Sequence, residues 1–178
     1  MRLVDNHEIT LMLGIVVEKR ASSHPWAKWT WKPTAVFMDA EEDVHWKELV
    51  REDSFIQYHA ATLPLNLHRK ETEALRLNLM LDQPELYVVL QENDDHTSEF
   101  DFEPKLVTAS SYDAQDYLDT GDDIIEKVAM PETVAAIVQA FVEQHHVEEE
   151  FKKRKRDRLN VEEQKFGKSP IFVPHTKH

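Results

Sequence analysis

Two runs of leucine at strict period two constrain this chain more than any other feature: Leu63, Leu65 and Leu67, then Leu75, Leu77, Leu79 and Leu81. Alternate residues of a strand point to one face. Each row therefore predicts an apolar sheet face, with Asn66, His68, Arg76 and Asn78 turned the other way. Leucine prefers helix intrinsically, but a helix would set Leu75 and Leu77 on roughly opposite sides, and the periodicity outweighs the propensity. Phe55 to Leu90 is accordingly read as a meander. It comprises a strand at FIQYHA, the two leucine strands joined through HRKETE, and a fourth strand, ELYVVLQEN, set off by Gln83 and Pro84.

The same rules extend to both sides of that region. In TLMLGIVVE, Leu11, Leu13, Ile15 and Val17 share one face while Met12 and Val16 make the other apolar, the pattern of a central strand covered on both sides. Trp29 and Trp31 stand on one face of a second strand, which Pro33 confines to an edge or a bulge. A short strand is expected around VHWKELV, and after an acidic, mobile segment, NDDHTSEFDFEP, another at KLVTAS. Ser110 or Ser111 caps a short helix over 111–119, and the strand DIIEKVAM leads into a long one over 131–147. There Val134, Ile137, Val138, Phe141, Val142 and His145 repeat at helical spacing behind Pro131. The reading is an α+β domain over residues 9–147, a largely antiparallel sheet of about six to eight strands with one long and one short helix packed on it. Residues 148–178 follow as a basic helical extension and an extended tail.

Composition removes several function classes. The chain has no cysteine, so thiolate metal sites, disulfides and a cysteine nucleophile are excluded. Glycine occurs only at positions 14, 121 and 167, which leaves no phosphate-cradling loop, no dinucleotide fingerprint and no nucleophile elbow. No apolar run approaches the roughly 20 residues of a spanning helix, and Asp5 and Glu8 stand where a signal peptide would be basic, so a cytoplasmic protein without membrane contact is expected. No catalytic, cofactor or metal residues are assigned, and the expected protein is not an enzyme.

Charge is segregated. Residues 1–150 carry 12 Lys and Arg against 31 Asp and Glu, a net of −19, and residues 151–178 carry 9 against 3, a net of +6. Lys152, Lys153, Arg154, Lys155, Arg156 and Arg158 form a basic arm that could seek an acidic protein surface, or RNA phosphates, although the acidic body opposes a polyanion. Trp26, Trp29 and Trp31 offer a second partner surface if exposed; the commoner role of such residues is in a core with bonded indoles. His145 with Glu149, and His146 with Glu150, have the one-turn spacing of a divalent-metal pair, but two ligands do not make a site, and a helix C-terminus also favours histidine. His59 and His68 are read as hydrogen-bonded residues of neighbouring strands.

The runs GIVVEKR, HPWAKWTWKP, YHAATLPLNLHRKETEALRLNL, LYVVL, SYDAQDYLD and FVEQHHVEEEFKKRKRDR occur in that order. In these the chain resembles an uncharacterised bacterial family, the domain of unknown function numbered three-three-zero-five. Departures are small: Lys19 stands where the family commonly has arginine, and Glu150 where proline is common. Members are often encoded beside formate dehydrogenase genes and their molybdenum-cofactor maturation factors. The resemblance thus implies an accessory role in assembly or regulation of a molybdenum- or tungsten-dependent formate dehydrogenase, with a dehydrogenase subunit or maturation factor as partner. The alternatives are a divalent-metal-binding protein using the His/Glu clusters and an RNA-binding protein using the basic arm.

Overall fold

A computed structural model describes residues 2–146 apart from 6, 7, 24, 95–97 and 119–122; all of these belong to one compact unit, Met1–Val147. The segment 148–178 lies outside the described residues, and with it the expected basic extension. Among the described residues there are eight strands in two antiparallel sheets and three α-helices, the α+β class that the sequence indicates.

The first sheet is built on β2 (Glu8–Ala21). One edge of β2 is paired over nearly its whole length with β5 (Phe55–His68), from Glu8 opposite His68 to Arg20 opposite Phe55. Its other edge is shared end to end by β1 (Arg2–Asp5) and β3 (Trp29–Phe37). The short strand β4 (Lys47–Arg51) closes the far side of β5. Pro33 is accommodated as its missing N–H requires, on a peripheral strand beside a register shift opposite Val16 and Val17. Leu11, Leu13, Ile15 and Val17 are all buried, and the opposite face of β2 is covered as well. At Gly14 that cover is so close that a Cβ would stand 2.5 Å from the Phe37 ring and 2.9 Å from the Ala40 methyl.

The second sheet sets β6 (Glu85–Glu92) between β7 (Phe102–Thr108) and β8 (Ile124–Ala129). It shares one core with the first: Leu65 and Leu67 of β5 belong to the same cluster as Leu86, Val88 and Leu90 of β6. At about 1.5–3 kcal/mol per fully buried leucine or valine side chain, this shared interior is the main favourable term holding the sheets together.

Two expectations are corrected here. FIQYHA and the first leucine row are one continuous strand, so His59 and His68 lie on the same strand. The second row is no strand at all. Arg69–Glu71 forms a 3₁₀ turn leading into α1 (Thr72–Leu79), where Leu75 is buried, Leu79 is partly buried, and Leu77 and Leu81 face outward. The buried stripe runs through Thr72, Leu75, Asn78 and Leu79, a helical spacing disguised by a polar residue in it. Asn78 is tolerated there because its amide donates to the carbonyls of Glu85 and Ala109, both at 2.7 Å, while its oxygen accepts from the Glu85 N–H at 2.9 Å.

The remaining helices follow expectation. In α2 (Ser111–Leu118) the Asp113 N–H reaches the Ser110 hydroxyl at 3.5 Å, and α3 (Glu132–His145) follows Pro131 and buries Val134, Val138, Phe141 and Val142. The acidic segment leading into β7 is more engaged than expected, since Phe100 and Asp101, with Glu103 in the strand itself, all contact the tryptophan interior described below.

Candidate interaction surfaces

The hairpin joining β2 to β3 carries the tryptophan group. Lys19 pairs with Trp31 and Ala21 with Trp29, and the Ser22 N–H closes the loop on the Lys28 carbonyl at 3.1 Å. From Lys19 to Met38 the chain holds Lys19, Arg20, Lys28 and Lys32 and no Asp or Glu, a local +4 on a body of net −19.

The three indoles separate by depth. Trp31 is 3% exposed and bonded through Nε1 to Asp101 Oδ2 at 2.8 Å. Its ring meets Trp46 edge-on at 5.3 Å, and Trp46 stacks on Phe100 at 4.4 Å while its Nε1 reaches Glu103 at 3.3 Å. Trp46 adopts a left-handed backbone, φ 49°, which for a bulky side chain costs on the order of 1–3 kcal/mol and is held by this packing. Burial beside the same rings pushes the Tyr58 hydroxyl above its ordinary range. Trp31 is therefore an interior residue, and the exposed part of the group is Trp29, at 36%, and Trp26, at 90% on the hairpin loop.

Cations flank these rings. Lys19 is only 7% exposed, with Nζ 5.0 Å from the centre of Trp29 and 4.6 Å from that of Trp31. Lys28 approaches Trp29 at 5.7 Å, and Arg20 lies over Phe55 at 5.2 Å while pairing with Glu18 at 2.9 Å. Ring faces attract ammonium groups by about 0.5–2 kcal/mol, which helps retain the buried Lys19 in the sheet. The result is a hairpin with exposed aromatic surface and an exposed cation, Lys28, while Arg20 is paired with Glu18 and Lys32 with Glu126 at 3.6 Å.

A second surface lies between α1 and α3, which run antiparallel. His146, at the end of α3, meets the start of α1, Nδ1 at 3.3 Å from the Thr72 hydroxyl and Nε2 at 3.5 Å from Glu73. Alongside runs an open groove of about 570 Å³ with Leu79, Met80 and Pro84 on one side and Ala135 and Val142 on the other. Met80 is 69% exposed.

The family's sequence profile, a protein of unknown function (DUF3305), matches residues 12–155, most of the chain and both of these surfaces. The chain belongs to the DUF3305 family. No curated protein and no solved structure matches it.

In this DUF3305 protein His59, His68 and His145 have local partners. His59 bonds Thr62 at 3.0 Å and packs on Phe37, and burial pushes its imidazole below the ordinary range; His68 Nδ1 accepts from the Lys70 N–H at 3.2 Å. His145 lies against Phe141 at 4.6 Å. Glu149 and Glu150, the acids expected one turn beyond, lie outside the described residues, as do Lys152, Lys153, Arg154, Lys155, Arg156 and Arg158. Among the described residues no group of three His, Asp or Glu side chains could hold a metal ion, and no helix is long and apolar enough to cross a membrane. The groove had no sequence signal as long as Leu75–Leu81 read as a strand. Its trace in retrospect is Met80, an apolar residue that the helical reading leaves outside the core and on the groove.

Proposed function

We propose that this DUF3305 protein is a non-enzymatic accessory protein of the cytoplasm that works by binding another protein, a formate dehydrogenase subunit or one of its maturation factors. The observation that carries the reading is Trp26, almost fully exposed in the hairpin loop, with Lys28 over the ring of the part-exposed Trp29 next along the chain. Exposed tryptophan beside cations is the composition of interface anchors, and a positive end on an acidic body suits an acidic partner surface. The basic arm, Lys152 to Arg158, is the second contact in this proposal. The choice of partner follows from the gene neighbourhood that the family resemblance brings.

The test is affinity purification from the native host with and without nuclease treatment. The wild-type chain is expected to recover the dehydrogenase or a maturation factor, and the double variant Trp26→Ala/Trp29→Ala to recover about tenfold less, the loss of one interface anchor. Replacing Lys152 to Arg156 with alanine tests the arm separately. Recovery of RNA that disappears with nuclease, with no dehydrogenase component, would sink the reading in favour of nucleic-acid binding.

A further inference from the structure

We propose that the groove between α1 and α3 is a second docking site, and that its occupant is an amphipathic helix of a partner protein with apolar side chains at i, i+4 and i+7 and lysine or arginine beside them. This inference rests on the reading of the chain as an interaction protein but concerns a different surface from the hairpin.

Shape gives the first argument. Ala135, Gln139, Val142 and His146 line the groove at about one residue per turn of α3, over about 16 Å at the ordinary helical rise. An antiparallel pair of helices with an apolar seam of that length accepts a third helix whose side chains enter every turn. Leu79 and Val142 supply the greasy walls, and Met80, flexible and exposed, can adapt to the entering side chain.

Charge selects the occupant. Glu143 and one cation, Arg76, line the groove, and the elements around it add Glu73, Asp82 and Glu132. That cation is taken by Glu73 at 3.1 Å. Glu143 lines the groove with the amide of Gln139 as its hydrogen-bond donor, at 2.9 Å. A basic helix therefore meets complementary charge, and an acidic one is repelled. A second copy of the chain is disfavoured for the same reason, since α1 and α3 present the same excess of acid to each other.

The native chain has no cysteine, so Gln139→Cys on the groove rim gives a unique thiol for an environment-sensitive fluorophore. The full-length labelled protein is titrated with a synthetic leucine–lysine peptide of about 18 residues patterned as an amphipathic helix. Saturable binding is expected. Affinity should fall by about tenfold or more for a leucine–glutamate peptide of the same pattern, and likewise for a leucine–lysine peptide whose order destroys the apolar stripe. Ala135→Trp, which fills the groove, should weaken binding by a similar factor. Met80→Lys should do the same at an exposed position where folding is not at stake, each variant being checked by circular dichroism. Equal binding of the patterned and disordered peptides, or indifference to Met80→Lys, overturns the proposal. So does a label shift produced by raising protein concentration alone, which would make a second copy the occupant. The Trp26→Ala/Trp29→Ala variant should bind the peptide as the native protein does. Loss of the native partner in that variant with no peptide binding to the native groove would remove this inference and leave the hairpin reading standing.

Discussion

Asn78 shows how much one side chain decides. Its amide holds α1 to the start of β6 and to the segment after β7 through three bonds to main-chain groups, two of them at 2.7 Å. Asn78→Ala leaves the Glu85 N–H and two carbonyls without that partner in a buried site, and should lower the unfolding free energy by about 2–4 kcal/mol in urea denaturation. Asn78→Leu should be no better, because volume does not replace the missing bonds. Glu71 makes the opposite case. Burial, then the nearby carboxylates of Asp113 and Glu8, hold its carboxyl above the ordinary value of 4.5. The folded state thus binds this proton more tightly than the unfolded chain, so the group costs nothing below the ordinary value and costs stability increasingly as pH rises through the raised one. Glu71→Gln should raise the melting temperature at pH 7 and leave it nearly unchanged at pH 4. Equal effects at the two pH values would show that the carboxylate is not the cause.

At the scale of elements, the leucine rows separate two physical rules that coincide in most sequences. Leu63, Leu65 and Leu67 obey period two because β5 lies inside a sheet with a covered face. Leu75 to Leu81 share that spacing by accident, and the 3₁₀ turn at Arg69–Glu71 breaks the chain before a strand could continue. Helix propensity prevails in the second row because Ala74, Leu75 and Asn78 can be buried together only on a helix. Truncation tells the two forms apart. Leu75→Ala should cost about 2–5 kcal/mol, as a cavity in the shared core, while Leu77→Ala should stay within about 0.5 kcal/mol. A strand would expose or bury both alike, so comparable losses in denaturant titrations would contradict the helix.

On the scale of the whole molecule, charge and exposure pull in different directions. The body repels itself at net −19, while the stretch from Lys19 to Met38 holds four cations and no acid, two of the cations being paired with Glu18 and Glu126. Raising ionic strength from about 10 to 200 mM shortens the screening length from roughly 30 to 7–8 Å. The melting temperature should therefore rise with salt, as self-repulsion is screened, while partner capture through the hairpin should weaken several-fold over the same range. Both trends are read on one protein, by thermal melts and by equilibrium binding at matched salt. A partner whose capture is insensitive to salt would assign the contact to apolar surface rather than to Lys28 and Arg20.

What the sequence determined alone is the set of properties carried by neighbours along the chain. The covered central strand from Leu11 to Val17, the edge position of the strand with Pro33, the capped helix at Ser110 and the amphipathic helix behind Pro131 follow from local geometry and spacing, and the acid-free hairpin follows from counting. Tertiary structure decided what depends on distant partners. Two sheets form rather than one because β6 pairs with β7 and β8 and not with β5, a choice of long-range partner that alternation within each strand does not encode. Trp31 lies inside and Trp26 outside because Asp101, Trp46 and Phe100, remote in sequence, surround the first and leave the second. The groove exists because Asn78 satisfies three main-chain groups from β6 and the segment after β7, which draws α1 into the helical layer beside α3. Local periodicity reports which face of an element is apolar; only the fold reports which neighbour covers it.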